Sequence, residues 1–451
     1  MASLFILCAL LAGCGERIPR DKKVVRFSFW GGYLEMSIWK EIKRTFEEKN
    51  PEAYVKLEYA PGSDNPAYLV SRMLAKSAAD VMMIDDDGLP WLASKGYLEP
   101  LDERVARDEA ELRTREFLPT SMESASYEGT TWSLPFDGFS ELVFANLDLF
   151  DAAGIPEPTK DWTWEDFGRI AQRLTIDKDG DGVMDQFGAY MPLVVQHDEK
   201  VFWAYGASWM NPEKDRITVD SPGAVAALNV YGDLFFRKKV VPLQGAVGSM
   251  VEEVMLFTGK VAMAALPIYV VINMRQLGNR RWDVFQVPRG PAGRGARASW
   301  DCIGIYKGAP PGKKELAWRW IKHVLSSESQ QVIGRSGRAM PVRPDDVKAS
   351  FIRADTPQHE ERFLEALLEY GRITPQMLAT KAWRGEADTI LGRFGSGAFN
   401  EWGKALLRGE DPPDESRYHG PSDRWLSPEK TVALCQEVCQ KKVDEFTQRG
   451  Y

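Results

Sequence analysis

The stretch Asp-Lys-Asp-Gly-Asp-Gly-Val-Met-Asp-Gln-Phe-Gly over 177–188 spaces its carboxylates as a calcium loop does. Asp177, Asp179 and Asp181 take the first, third and fifth ligand positions, the Val183 carbonyl the seventh and Asp185 the ninth, and Gly182 permits the sharp turn. The twelfth position, where a bidentate Glu would complete the sphere, is Gly188. The loop is therefore short of ligands unless Asp198, Glu199 or water closes it. Two readings stay open: a structural Ca2+ or similar hard cation, or a turn held by Asx hydrogen bonds alone. In either, the loop pins a corner between a helix over 163–175 and a strand over 187–195, and the working site lies elsewhere.

Other reactive side chains are sparse. Four His residues stand at 197, 323, 359 and 419, no two at ligand spacing, which argues against a zinc hydrolase. Cys302 is isolated. Cys435 and Cys439 share one helical stripe with Val432, Val443 and Phe446, as small buried hydrophobes would. Fifteen Trp residues are the compositional excess, and they serve either a bulky core or flat surfaces on which ligands lie. A net charge of −8, with no Lys/Arg-rich run, argues against a nucleic-acid partner. At the start, the apolar run Leu4–Leu11 leads into Leu11-Ala12-Gly13-Cys14, which resembles a bacterial lipobox. No Lys or Arg precedes that run. The expectation is a lipoprotein signal peptide over 1–14, lipidation at Cys14, and a polar tether over 15–23.

The 451 residues, 44% hydrophobic and 27% charged, suffice for two or three compact units. Val25, Phe27 and Phe29 alternate as a half-buried strand ending in Trp30-Gly31-Gly32. A helix with Ile38, Ile42 and Phe46 on one stripe follows, then a strand through Val55, Leu57 and Tyr59. A helix over 66–78 leads to Val81-Met82-Met83-Ile84, a fully buried parallel strand, stopped by Asp85-Asp86-Asp87. This alternation predicts an α/β layer with a parallel sheet, whose ligands collect at the carboxyl ends of the strands. Trp30 and Asp85–Asp87 stand at such ends. In a second unit, Thr163-x-x-Asp166 forms a capping box before a helix, and Ser221-Pro222 opens another. Strand patterns return over 282–306, and 340–451 reads as mainly helical.

Four blocks in this order resemble the extracellular solute-binding proteins of ABC importers, the maltose-binding-protein-like group. They are the segment Ser133–Phe167 with Asn146-Leu147-Asp148-Leu149-Phe150, the block Tyr205–Leu234, Phe257–Leu266 with Gly259-Lys260-Val261-Ala262-Met263, and the helix pair and hinge within Ala317–Arg343. The likeness runs from about Val24 to about Glu410. It implies a two-lobed, type II periplasmic-binding-protein fold with hinge strands and a helical C-terminal part. One lobe would take 24–135 and 283–336, the other 138–280 and 340–451, with hinges near 136–137, 278–283 and 337–341. It also implies a monomer tethered by lipid to the cell envelope, facing the periplasm or exterior, that hands a sugar to membrane permease subunits.

A sugar ring needs aromatic plates for its C–H faces and carboxylates or amides for its hydroxyls. By the resemblance, Trp30, Asp85 and Asp87 fall at contact positions after the first and third strands, and Asp137 at the crossing. Trp203 and Tyr205 lie in the middle block, Tyr269 takes the aromatic position after the Gly-Lys-Val-Ala-Met strand, and Trp383 precedes a late helix. Trp300-Asp301 stands where many relatives carry Gly-Gly and is expected to add a plate and a carboxylate to the cleft. Each aromatic has an alternative in core packing, and Asp87 in capping the helix after Gly88. Two rival functions remain at this point: a hydrolase using paired carboxylates, and the same fold holding a polyamine, metal chelate or phosphate ester. The 411–428 insertion either closes one end of the cleft or decorates the surface.

Overall fold

The computed structural model describes residues 18–60, 66–191, 195–213, 215–242, 250–278, 280–355, 357–373, 387, 390–391 and 427–448. Cys14 with its signal segment, Trp383 and nearly all of the 411–428 insertion lie outside the described residues.

The alternating apolar residues fold as expected. β1 (Lys23–Phe29) buries Val25, Phe27 and Phe29, and the helix Tyr33–Lys49 lays Ile38, Trp39, Ile42 and Phe46 over them. Phe27 and Trp39 meet edge to face at 4.7 Å, a geometry that adds to the burial itself. β2 (Ala53–Tyr59) and β3 (Val81–Asp85) flank β1 in parallel, and the Val81–Ile84 run is buried throughout. β4 (Ser126–Tyr127) and β5 (Thr130–Thr131) form a small hairpin before β6 (Leu134–Asn146).

β6 organises the molecule. Its first half pairs antiparallel with β10 (Ala296–Ile305) and with β11 (Met340–Pro341). Its second half pairs with β8 (Val261–Pro267) and β9 (Trp282–Phe285). β10 sits between β6 and β3, while β7 (Phe187–Tyr190) extends the far side of β8 and β12 (Gly371–Arg372) touches the start of β10. The result is a two-lobed α/β fold in which one strand serves both lobes. The second lobe buries its own core, with Phe150, Trp164, Phe167, Phe202, Trp209 and Tyr231 among its large side chains. Cys435 and Cys439 pack there with Val432 and Val443, as the stripe predicted.

Three boundaries differ from the sequence reading. The helix after β2 ends at Leu74, since Lys76 turns left-handed (φ 52°). The strand expected over 187–195 stops at Tyr190, and a helix, Val195–Ala204, buries Val201, Phe202 and Ala204 instead. The return crossing falls later than 278–283, because β9 still pairs within the second lobe and the chain re-enters the first with β10.

The buried Glu360 carboxylate ties the C-terminal part to the helix Val270–Leu277. It accepts hydrogen bonds from Arg275 Nη2 and the Arg353 N–H, both at 2.8 Å. Burial pushes its pKa from 4.5 up to about 7, against the pull of Arg275. Because the folded value is the higher one, the stability Glu360 contributes is fully present below about 4.5 and is lost as pH rises through about 7. Denaturation curves collected across that window should show a decline in the wild type that Glu360→Gln flattens. Parallel declines in the two proteins would contradict this reading.

Candidate functional site

A cavity of about 610 Å³ opens between the lobes, within the usual size of small-molecule sites. Its first wall is the turn after β1. Trp30 packs against the core, and Tyr33, on the first turn of the following helix, is 92% exposed. Gly31 makes that turn possible. Its φ of 124° suits glycine, and a Cβ there would lie 2.3 Å from Glu35 Cγ. Glu35 can thus fold back, so that Gly32 N–H donates to Oε2 at 2.6 Å. The opposite wall is the turn after β8. Tyr269, 47% exposed, precedes the helix carrying Ile272, Asn273 and Gln276, and meets Phe139 of β6 edge to face at 6.2 Å.

The floor is ionic. Arg338 donates from Nε to Glu35 Oε1 (2.8 Å), from Nη1 to Asp137 Oδ2 (2.5 Å) and from Nη2 to Asp301 Oδ2 (3.0 Å). Its guanidinium also lies 5.1 Å from the Phe139 ring centroid. Burial pushes Asp137 and Asp301 above the usual carboxylate range, although Arg338 pulls both down. Burial opposes ionisation of Glu35 too, yet the Gly32 N–H and Arg338 together hold it below its ordinary value. Burial likewise works against the Arg338 charge, and the surrounding carboxylates raise its pKa despite it.

Beside this cluster, Arg297 Nη2 lies 3.8 Å from both Asp86 Oδ1 and Asp87 Oδ2. Lys200 Nζ donates to Glu141 Oε2 at 2.7 Å in an ion pair almost sealed from solvent. Glu141 and Arg297 line the cavity together with Ser140, Ser299, Asp301 and Arg338. The site therefore offers aromatic faces at its rim and fixed acceptors and donors at its base. No sequence signal had singled out Tyr33, Glu35, Glu141 or Arg297, and Arg338 had been placed only in a hinge. The spacing Gly32-x-x-Glu35, a capping-box interval, was the one available clue.

Of the residues expected to line a cleft, Trp30, Tyr269 and Asp301 do. Trp300 does not, which corrects the expectation of an added plate. It is fully buried, its ring lies where a Cβ on Gly138 would come within 2.4 Å, and its Nε1 donates to Thr120 Oγ1 at 3.2 Å. Asp137 lies beneath the cavity floor on Arg338. Asp85, rather than Asp87, caps the turn before the next helix by accepting from Gly88 N–H at 2.9 Å, while Asp87 is buried beside Arg297. Trp203 is buried against Gly295 and Arg372, and Tyr205 packs on the second core; neither lines the cavity.

In the 177–188 loop, Asp177 accepts from Gly180 and Gly182 N–H groups at 2.7 and 2.9 Å, and Asp185 from Lys178 N–H at 2.7 Å. Asp181 turns to Val183 N–H at 2.7 Å. Asp177, Asp179 and Asp185 keep carboxylate oxygens within 4.8 Å of one another and are the residues that could hold a cation.

Residues 31–331 match the family model described as bacterial extracellular solute-binding protein. A binding protein of Brucella abortus (strain 2308) is 26% identical over 328 residues, covering 71% of this chain and 75% of its own. A lipoprotein of Streptomyces antibioticus, described as uncharacterized, is 26% identical over 336 residues, covering 70% of each. The solved ABC substrate-binding protein of Listeria monocytogenes in complex with cycloalternan superposes with a TM-score of 0.78 at 21% identity, covering 94% of this chain and all of that one.

Removing the one guanidinium among three carboxylates should be severe. Arg338→Ala is expected to destabilise the protein by about 3–5 kcal/mol near neutral pH, the usual cost of stranding buried charge. The loss should shrink as pH falls and Asp137 and Asp301 take up protons. Urea denaturation at two pH values measures both, and a pH-independent loss would contradict the assignment.

Proposed function

The chain belongs to the bacterial extracellular solute-binding proteins, and from that premise we propose that it captures a sugar or oligosaccharide in the inter-lobe cavity for delivery to an ABC importer. The observation that carries the reading is the pairing of two exposed aromatic side chains, Tyr33 and Tyr269, on opposite walls above an ionic floor. A large aromatic ring left in water on a concave surface is a flat apolar plate in want of a partner. A pyranose offers such a partner in its C–H faces, and its hydroxyls both donate and accept. Asp301, Glu35 and Glu141 can accept from them, and Arg297, Asn273 and Gln276 can donate. The Listeria protein's complex with cycloalternan supports the oligosaccharide side of this reading.

Binding is proposed without turnover. Asp137 and Asp301 both accept from Arg338, and Asp137 lies beneath the floor, so the pair does not flank an open space as the acid and base of a glycosidase must. Capture is reversible and ends with release to permease subunits at the membrane. The lipobox at Cys14 would keep the protein in the cell envelope, and the Streptomyces lipoprotein supports that placement. A hard cation such as Ca2+ on Asp177, Asp179 and Asp185 would stiffen a corner without touching the solute.

A thermal-shift screen against neutral oligosaccharides tests the proposal, with product analysis of the same tubes. A stabilising ligand recovered intact supports it, whereas accumulating hydrolysis products would replace it with an enzyme. Tyr33→Ala and Tyr269→Ala should each weaken binding roughly tenfold, the equivalent of about 1.4 kcal/mol. The melting temperature of the free protein should change little in Tyr33→Ala, since Tyr33 carries almost no buried area. Unaltered affinity in both variants would remove the aromatic walls from the site.

A further inference from the structure

We propose that the solute carries a protonated amine, so that the cleft takes an amino sugar in preference to a neutral one and rejects acidic sugars and sugar phosphates. The inference rests on the sugar reading and specifies its chemical class. It starts from the sheet register, in which Asp301 of β10 stands opposite Asp137 of β6 on one side and Asp85 of β3 on the other. Like charges placed directly across strands repel. Arg338 answers this repulsion, but it is one cation shared by Asp137, Asp301 and Glu35. The floor beneath the cavity is left with negative charge in excess. Burial pushes Asp137 and Asp301 upward, Arg338 pulls both down, and the neighbouring Glu35 carboxylate adds to the rise.

Two guanidiniums line the cavity, and at first sight they invite an anion. Their commitments argue otherwise. Each of the three nitrogens of Arg338 already donates to a carboxylate. Arg297 lies between Asp86 and Asp87, with Glu199 and Glu141 adding to the negative field around it. A backbone donor that could hold an anion, the Gly32 N–H at the start of the helix Tyr33–Lys49, is taken by Glu35. A carboxylate or phosphate entering here would meet guanidiniums already flanked by carboxylates, with Asp301 and Glu35 facing it. An ammonium group would meet Asp301 and Glu35, the two members of the triad that line the cavity. It would supply the positive charge that Arg338 alone does not.

The test uses the full-length protein and one oligosaccharide scaffold in three forms: the neutral parent from the screen above, its mono-amino derivatives, and its uronate. Calorimetry at low and at moderate salt gives the affinities. At least one amino derivative should bind on the order of tenfold tighter than the parent at low salt, and the uronate correspondingly weaker. The spread should narrow as salt screens the charges. Glu35→Gln, which keeps a capping-box side chain at that position, should reduce the ratio of amino to parent affinity. Asp301→Asn provides a second variant with the same expected direction. If the parent binds and no amino derivative surpasses it, or if the uronate binds as tightly, this inference falls and the sugar reading stands. If no form of any oligosaccharide binds, both fall together.

Discussion

Three aspartates lie side by side across neighbouring strands, Asp85 on β3, Asp301 on β10 and Asp137 on β6. A sheet does not tolerate such a row at its centre without compensation, because the charges repel and two of them are nearly sealed from water. Arg338 is the compensation, and its position is not local. It follows the helix Ser327–Ser336, immediately before β11, and reaches Glu35 from the turn after β1. One side chain thereby fixes four segments distant in sequence, and those segments form the floor and first wall of the cavity. Geometry and charge at the site share one origin.

β6 supplies the mechanical counterpart. A strand with partners on both edges in each half cannot slide against either lobe without breaking ladder hydrogen bonds. It can still bend or twist between the halves, where the partners change. That change falls at Ser140–Glu141, at the cavity wall. Phe139 sits just before it, under Arg338 and against Tyr269. The aromatic contact therefore joins the ionic cluster of one lobe to the rim of the other across the residue pair where a hinge motion would concentrate.

The elements were largely legible from the sequence because their periods were clean. Val25-Phe27-Phe29, Ile38-Ile42-Phe46 and the Val81–Ile84 run each fitted one template, and each folds accordingly. The strand expected over 187–195 stops at Tyr190, and its last position opens a helix whose Val201, Phe202 and Ala204 enter the second core. The site was less legible because its acids and aromatics were read singly. Trp300 and Asp301 were both assigned to the cleft, although adjacent residues on a strand point to opposite faces. With Asp301 facing the cavity, Trp300 had to enter the core, and Gly138 opposite it makes the room.

The same alternation explains what single-residue reading could not reach. Asp137, Asp301 and Glu35 acquire meaning only in register, when β10 is inserted between β3 and β6 and the Gly31 turn folds Glu35 inward. β10 comes from a segment more than a hundred residues beyond β6, so no local window contains the triad. Arg338 was visible beforehand as part of a hinge, a mechanical role that concealed an electrostatic one. The acidic loop at 177–188 shows the converse. Its carboxylates are close in sequence and easily seen, yet several are engaged by backbone amides of their own turn. Carboxylates gathered by a turn are met by that turn's amides, whereas Asp137 and Asp301, gathered by a sheet register, are met by what the fold brings to them. Here the fold brings one guanidinium for three acids, and the remaining demand for positive charge faces the cavity.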